Sequence, residues 1–362
     1  MSTNYRFRRH NMETLIGGIS PLDLTTISME SVDDAEDFLR SYGFDWADEA
    51  DRKELLGFYQ KAVVFVQSEI CREGDVIPSM LTDVNELKDL RKLFLYVNEK
   101  TPSVSNDLRV WSGALLKVLH VILLYSHDMY SIFPEEIQKQ ILGPVEKHLH
   151  TDPVLGASVL RKDSTEETIR LYKFEQKPIK EFRSSILKLL AKRKLFALNL
   201  YDNIGFRFVV NTNFDCYRVL RFLMSNSIVN SFHTITDQSV NTVYPANLFL
   251  EVMDHLRTKG ESLESQEVDV ILQKKLLENV DRAEYLLKEN NFSGEGYKFI
   301  KFVSRKLIRV NVNGYAHRFF YPFEVQVLTK DAYLLSIQGE QAHHEYKKRQ
   351  RQAARMRLLG ES

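Results

Sequence analysis

The sequence predicts an α+β protein, with an α-helical amino-terminal part followed by a mixed, largely antiparallel β-sheet flanked by helices. Three observations carry that reading. Apolar residues recur at helical spacing through the first part, as at Leu55, Leu56, Tyr59, Val63 and Val64. Beyond about residue 170, β-branched and aromatic runs such as Gly205 to Val210 alternate with helical stretches. The pair Asn313-Gly314 lies between two such runs, and both residue types tolerate the positive φ of a tight hairpin turn.

Taken in order, Val32 to about His150 reads as a helical bundle, with Leu55 to Ile70 and Trp111 to Leu124 as its clearest helices. Thr151 to Thr168 is polar, contains Asp152-Pro153, and reads as a linker. Leu171 to Phe174 is a short strand, Ile179 to Arg193 a helix, Gly205 to Val210 a buried strand and Asp215 to Met224 a helix. Pro245 to Asn290 is charged and helical. Tyr297 to Val303, Leu307 to Val312 and Phe319 to Val327 read as three strands, with turns at Ser304-Arg305 and Asn313-Gly314. Tyr333 to Leu359 is a very basic helix. The expected division is a helical domain over 1–155 and a mixed domain over 156–362, with a helical insertion at about 245–290.

The 362 residues exceed the usual single-domain range of roughly 100–200. Hydrophobic residues at 44% and aromatics at 11% exclude a disordered chain. Lys plus Arg equal Asp plus Glu at 49 each, so no overall field draws a polyanion and any anion site must be local. Cys71 and Cys216 are too few for a disulfide framework, which suits a reducing, cytoplasmic interior. The arginine-bearing start is not followed by an apolar signal core. The most apolar run, Leu115 to Tyr125, is interrupted by Lys117 and His120 and falls short of the ~20 residues that span a bilayer.

Chemistry concentrates at Glu324-Val325-Gln326-Val327-Leu328-Thr329, followed by Ala342-His343-His344-Glu345-Tyr346-Lys347. Strand alternation puts Glu324 and Gln326 on one face, so both address one site. This pair of segments resembles the E-x-Q-x-R-T strand and A-H-W-x-Y-K helix of the RelA/SpoT alarmone synthetases, without a gap from Glu324 to Lys347. Asp202-Asn203-Ile204-Gly205-Phe206-Arg207 is similar to the family's D-x-x-G-x-R run, with Gly205 fitting a tight turn into the strand. Gly296-Tyr297-Lys298-Phe299-Ile300-Lys301 is similar to N-G-Y-R-S-L-H. Lys180 to Lys188 is similar to the family's basic helix, its apolar face being Ile179, Phe182, Ile186, Leu189 and Leu190. The resemblance covers about half the chain, in order. Departures are Leu328 for arginine, His344 for tryptophan, Phe299 and Lys301 for serine and histidine, and a basic helix without its Arg-x-Lys start.

The resemblance implies a nucleotidyltransferase-like fold and pyrophosphoryl transfer from ATP to the 3′-hydroxyl of a purine nucleotide, GDP or GTP. It implies Mg²⁺ held by Asp202 and Glu324, with Glu324 alternatively, or also, orienting and deprotonating the hydroxyl, and phosphate charge met by Lys180, Arg183, Lys188 and Arg207. It further implies Tyr297 on the acceptor base, with Gln326, Lys298, His343 and Lys347 also in the nucleotide site. Each motif has a plain structural counterpart: an amphipathic surface helix, a turn aspartate, a packing tyrosine. Two alternatives stay open. One is a catalytically inactive nucleotide sensor. The other is transfer to RNA held by the basic carboxy-terminal helix, through residues such as Lys348, Arg349, Arg351, Arg355 and Arg357. The metal hydrolase that accompanies some relatives is not expected, because His120, His127 and Asp128 lack further ligands nearby, and they read as a core-edge histidine and a loop pair.

Overall fold

The computed structural model describes residues 9–24, 29–87, 89–99, 101, 104–152, 156–162, 168–177, 181–192, 203–260, 262–287, 298–337 and 340–360. The chain forms two units that interleave along the sequence. Met1–Ser131, Lys180–Leu200 and Glu345–Ser362 make one, while Ile132–Ile179 and Tyr201–His344 make the other. This differs from the sequential division expected at about residue 155, and the apolar faces of two carboxy-terminal-half helices give the reason.

In the helical unit, the core surrounds the helix Asn106–Ser126, which is buried almost continuously from Trp111 to Tyr125 and begins at a Ser105 cap. At 21 residues it is longer than the apolar run expected from sequence, and is long and apolar enough to cross a membrane; 61% of its most apolar window is buried inside this structure. His120 is half-buried on it, with Nδ1 2.7 Å from the Tyr42 hydroxyl, and desolvation lowers its pKa. His127 sits at the helix end, with Nδ1 2.8 Å from the Leu123 carbonyl oxygen.

Ile186, Leu187, Leu189 and Leu190 of the helix Phe182–Ala191 enter the same core, and Phe182 meets Tyr125 edge-on at 5.6 Å. Ala354 and Leu358 of the helix Glu340–Leu359 join them. Two arginines of that last helix turn inward. Arg357 reaches Asp23 at 2.7 and 3.0 Å and donates to the carbonyls of Leu189, Leu190 and Lys192, satisfying the end of the helix Phe182–Ala191. Arg355 holds Asp75 at 2.5 and 3.1 Å and donates to the Ile70 carbonyl. Its hydrogen bond outweighs desolvation and keeps the Asp75 carboxyl below its usual range. The tail is therefore not the solvated cationic surface its composition suggests: Lys348, Arg349 and Arg351 are exposed, and Arg351 bonds Glu69 at 3.0 Å.

The other unit contains a three-stranded antiparallel sheet where a linker was expected. Its strands are Leu149–Thr151 (β1), Ser158–Arg161 (β2) and Thr168–Arg170 (β3); the paired Leu160 and Ile169 are buried on one face and Val159 on the other. The larger sheet comprises Lys173–Gln176 (β4), Gly205–Val210 (β5), Thr234–Asn241 (β6), Ile300–Val312 (β7) and Tyr315–Thr329 (β8), in the order β4-β5-β8-β7-β6. Only β5 and β8 are parallel. Asn313 (φ 51°) and Gly314 (φ 85°) make the expected turn between β7 and β8. The turn expected at Ser304-Arg305 does not occur. Ser304 pairs with Phe323 and is buried, Arg305 pairs with Pro322 and faces solvent, and the alternation runs straight through. The helical stretch expected at about 245–290 contains the helices Ala246–Lys259 and Ser265–Glu278. Asp269 from it accepts the Asn213 and Phe214 N–H groups at 2.9 and 2.7 Å, capping the helix Asn213–Ser225 that packs on β5 and β8.

Replacing Arg357 by Ala should lower the stability of the helical unit by about 3 kcal/mol, since it strands Asp23 and uncaps a packed helix. Urea denaturation followed by far-UV circular dichroism measures this; a loss no larger than that of Arg351→Ala would remove Arg357 from the scaffold.

Candidate functional site

Strand alternation divides the larger sheet into an aromatic face and a polar face. Phe206, Phe208, Phe323, Val325 and Val327 are all fully buried on the first, where Phe174 joins them with ring centroids 5.2 Å from Phe208 and 6.3 Å from Phe206. Arg207, Glu324 and Gln326 lie on the second, because β5 and β8 pair in register: Gly205 opposite Glu324, Arg207 opposite Gln326. Lys301 of β7 lies opposite Gln326 on the other side, and Glu175 of β4 opposite Arg207.

Glu324 is only 6% exposed. The ammonium of Lys177, just past β4, bonds one carboxylate oxygen, and Lys301 Nζ stands 3.6 Å from the other. These cations meet the strong penalty on a buried charge. The row continues across the strands. Arg207 donates from Nε to the Gln326 side-chain oxygen at 3.0 Å and from Nη1 to Glu175 at 3.0 Å. Glu175 also accepts from the Tyr333 hydroxyl at 2.5 Å, and Lys173 reaches Glu175 at 2.7 Å and that hydroxyl at 2.6 Å. Burial alone would raise the Glu175 pKa, but hydrogen bonds from Lys173 and Tyr333, with the charge of Arg207, bring it below the ordinary 4.5.

Gly205 has a different reason from the turn expected of it. A Cβ there would stand 2.4 Å from the Glu324 carbonyl oxygen and 3.2 Å from the Glu324 Cβ. The residue is a point of close strand approach. The Glu324 N–H donates to the Ile204 carbonyl at 3.0 Å, so the entry to β5 and the acid in β8 are locked together. Asn203, buried beside that entry, donates to the Tyr321 hydroxyl at 3.3 Å.

Of the residues selected from sequence, Glu324, Gln326 and Arg207 are brought together. Lys298 is exposed just before β7. Arg183, exposed in the first turn of the helix Phe182–Ala191, and Lys188, half-buried in its last turn, belong to the helical unit, as does half-buried Lys347. Lys180, Asp202 and Tyr297 lie outside the described residues, and of His343 only the helical backbone is described. Leu328, where the family pattern has arginine, is fully buried with Val209, Ala332 and Tyr333 beneath the helix Lys330–Ile337. Lys173, Glu175, Lys177 and Tyr333 were not selected from sequence. The period-two charges Lys173-x-Glu175-x-Lys177 are the signal for them in the sequence, obscured because the apolar pattern ends at Phe174.

Among the described residues, no group of three or more His, Cys, Asp or Glu could hold a metal ion. Glu324 is the carboxylate a magnesium ion would take, yet its oxygens face two ammonium groups. As arranged, these donors suit an anion-binding surface better than a Mg²⁺ shell, which needs several oxygens.

No protein-family model matches the chain, and no curated protein does. Among solved structures, a GTP pyrophosphokinase family protein from Streptococcus pneumoniae aligns with 52% of this chain and 70% of its own, at 14% identity and a TM-score of 0.25. That likeness is too slight to carry fold or function.

Two outcomes are expected of the site. Gly205→Ala should cost about 1–3 kcal/mol, because backbone rather than a movable side chain occupies the space; a melting temperature equal to that of the unsubstituted chain would show the strands can separate freely. For Glu175, a depressed folded-state pKa means stability present above the unfolded value and lost as pH falls. Stability should decline as pH drops below 4.5, and Glu175→Gln should flatten that part of the profile. Parallel denaturation curves for the two proteins between neutral pH and pH 4 would contradict this.

Proposed function

We propose that this chain is a nucleotide pyrophosphokinase-like protein, transferring the β,γ-pyrophosphoryl group of ATP to the 3′-hydroxyl of a purine nucleotide, GDP or GTP by the resemblance of its motifs. One observation carries the reading: the acid of the Glu324-x-Gln326 motif is buried on the polar sheet face, beside Arg207 of the second motif and between two lysines. Asp202 precedes by three residues Gly205, whose backbone lies against Glu324.

In this reading the acceptor 3′-oxygen attacks the donor's β-phosphorus in line, the bond from that phosphorus to the α,β-bridging oxygen breaks, and AMP leaves. Glu324 takes the hydroxyl proton. Lys177, Lys301 and Arg207 meet the charge on the transferring oxygens, and release of Lys177 from Glu324 as phosphate arrives frees the carboxylate for that proton. Gln326 is held in orientation by Arg207. Magnesium is proposed only as the companion of the nucleotide phosphates, and none of these steps depends on its position.

A second reading, a nucleotide sensor without catalysis, is favoured by Leu328, whose burial under the helix Lys330–Ile337 leaves no phosphate-binding cation at that position. Incubation with ATP, Mg²⁺ and a panel of nucleotides, followed by anion-exchange chromatography, separates the two. The transfer reading expects AMP plus a pyrophosphorylated nucleotide, with Glu324→Gln reducing turnover at least 10²-fold. Calorimetric nucleotide binding without AMP formation, from a folded protein, would leave the sensor.

A further inference from the structure

Between Lys298 and Phe323 the chain carries six lysines and arginines and no aspartate or glutamate, in a protein whose charges balance overall. This acid-free stretch is most of the β7–β8 hairpin. Its register puts Arg305, Leu307 and Arg309 of β7 opposite Pro322, Phe320 and Arg318 of β8. By alternation they share the face of Glu324 and Gln326 and continue it outward along the hairpin. The three arginines and Phe320 are exposed, whereas Ile308, Val310 and Tyr321 on the reverse side are buried. Among the described residues no acid pairs with Arg305, Arg309 or Arg318.

Aromatic surface accompanies the charge. Phe320 is 49% exposed, with the Arg305 guanidinium 5.8 Å from its ring centroid and the His233 ring edge-on at 5.0 Å. Phe232, next to His233, is 92% exposed. Phe320 and the three guanidinium groups without an acid partner thus share one stretch of surface. The open edge of β7 is meanwhile closed by Gln140, whose side chain bonds the Arg309 N–H and carbonyl at 3.0 and 2.8 Å. The sheet face, rather than the edge, is what the hairpin presents.

We propose that this face binds single-stranded nucleic acid, the arginines pairing with phosphates and Phe320, with Phe232, stacking on bases. Phosphate spacing suits a file of cations, and every base offers a π-face to an exposed ring. An acidic peptide would satisfy the arginines but make no use of the aromatic rings. The proposal is independent of the transfer chemistry, since it concerns binding only and uses none of the residues assigned to that reaction.

The test is fluorescence anisotropy of a short labelled oligouridylate with the full chain, across about 50–200 mM salt. The expected logarithmic salt slope is roughly −2 for three phosphate contacts, at about −0.7 each. Arg318→Glu should weaken binding about tenfold and shallow the slope, whereas Phe320→Ala should weaken it about tenfold at unchanged slope. Arg257→Glu, which alters an exposed cation elsewhere in the same unit, should change nothing. Melting curves equal to those of the unsubstituted chain establish that the variants fold; because both sites are exposed, Arg309→Glu serves as a second charge reversal if one fails. Absence of binding, binding indifferent to these variants, or equal binding to polyglutamate or phosphatidylglycerol vesicles overturns the proposal.

Discussion

The polar face depends on how closely β5 and β8 approach. Gly205 has no Cβ where one would strike the Glu324 carbonyl, and that contact fixes the parallel register from which the other pairs follow. A slip of one residue would carry Glu324 to the aromatic face, beside Phe206 and Phe323, where neither Lys177 nor Lys301 could meet it. Burial of an unpaired carboxylate and exposure of phenyl rings oppose the slip together. Register and charge placement are therefore one constraint, and the site cannot shift without loss of the core behind it.

Much of the fold was legible because its signals are local. Gly205 to Val210 is a strand from end to end, the Asn313-Gly314 turn lies where its φ tolerance put it, and the same-face reading of Glu324 and Gln326 needed only strand alternation. What escaped depends on contacts that no window contains. Lys177 meets Glu324 across 147 positions, and Tyr333 meets Glu175 across 158. The apolar face of the helix Phe182–Ala191 announced burial but not in which core, so the interleaving of the units was invisible. Strand β6, polar and bulged between Ile235 and Val240, has almost no buried alternation to read. Ser304-Arg305 misled for the opposite reason: two polar residues suggest a turn unless the burial of the serine is known.

Net charge concealed more than it showed. With equal numbers of acids and bases the chain has no net charge, yet its described cations stand in different environments. Arg355 and Arg357 are turned inward, fixing Asp75, Asp23 and helix carbonyls. Lys177 and Lys301 face buried Glu324, and Arg207 meets half-buried Glu175. Arg305, Arg309 and Arg318 stand in solvent beside exposed rings. Composition counts these alike. Only burial and partner separate them.

That separation bears on how the polar face works as a whole. In the row from Lys173 to Lys301, described acids and bases meet within hydrogen-bonding or ion-pair range, so the row is held in place before any ligand arrives. A phosphate reaching it competes with carboxylates for the same cations, and binding is exchange of partners rather than capture by bare charge. Farther along the hairpin there is no such competition, and the full attraction of three guanidinium groups is available, though screened by salt. One continuous sheet face thus joins an internally neutralised end, where Lys177 and Lys301 already face Glu324, to an end whose exposed guanidinium groups have no acid partner among the described residues.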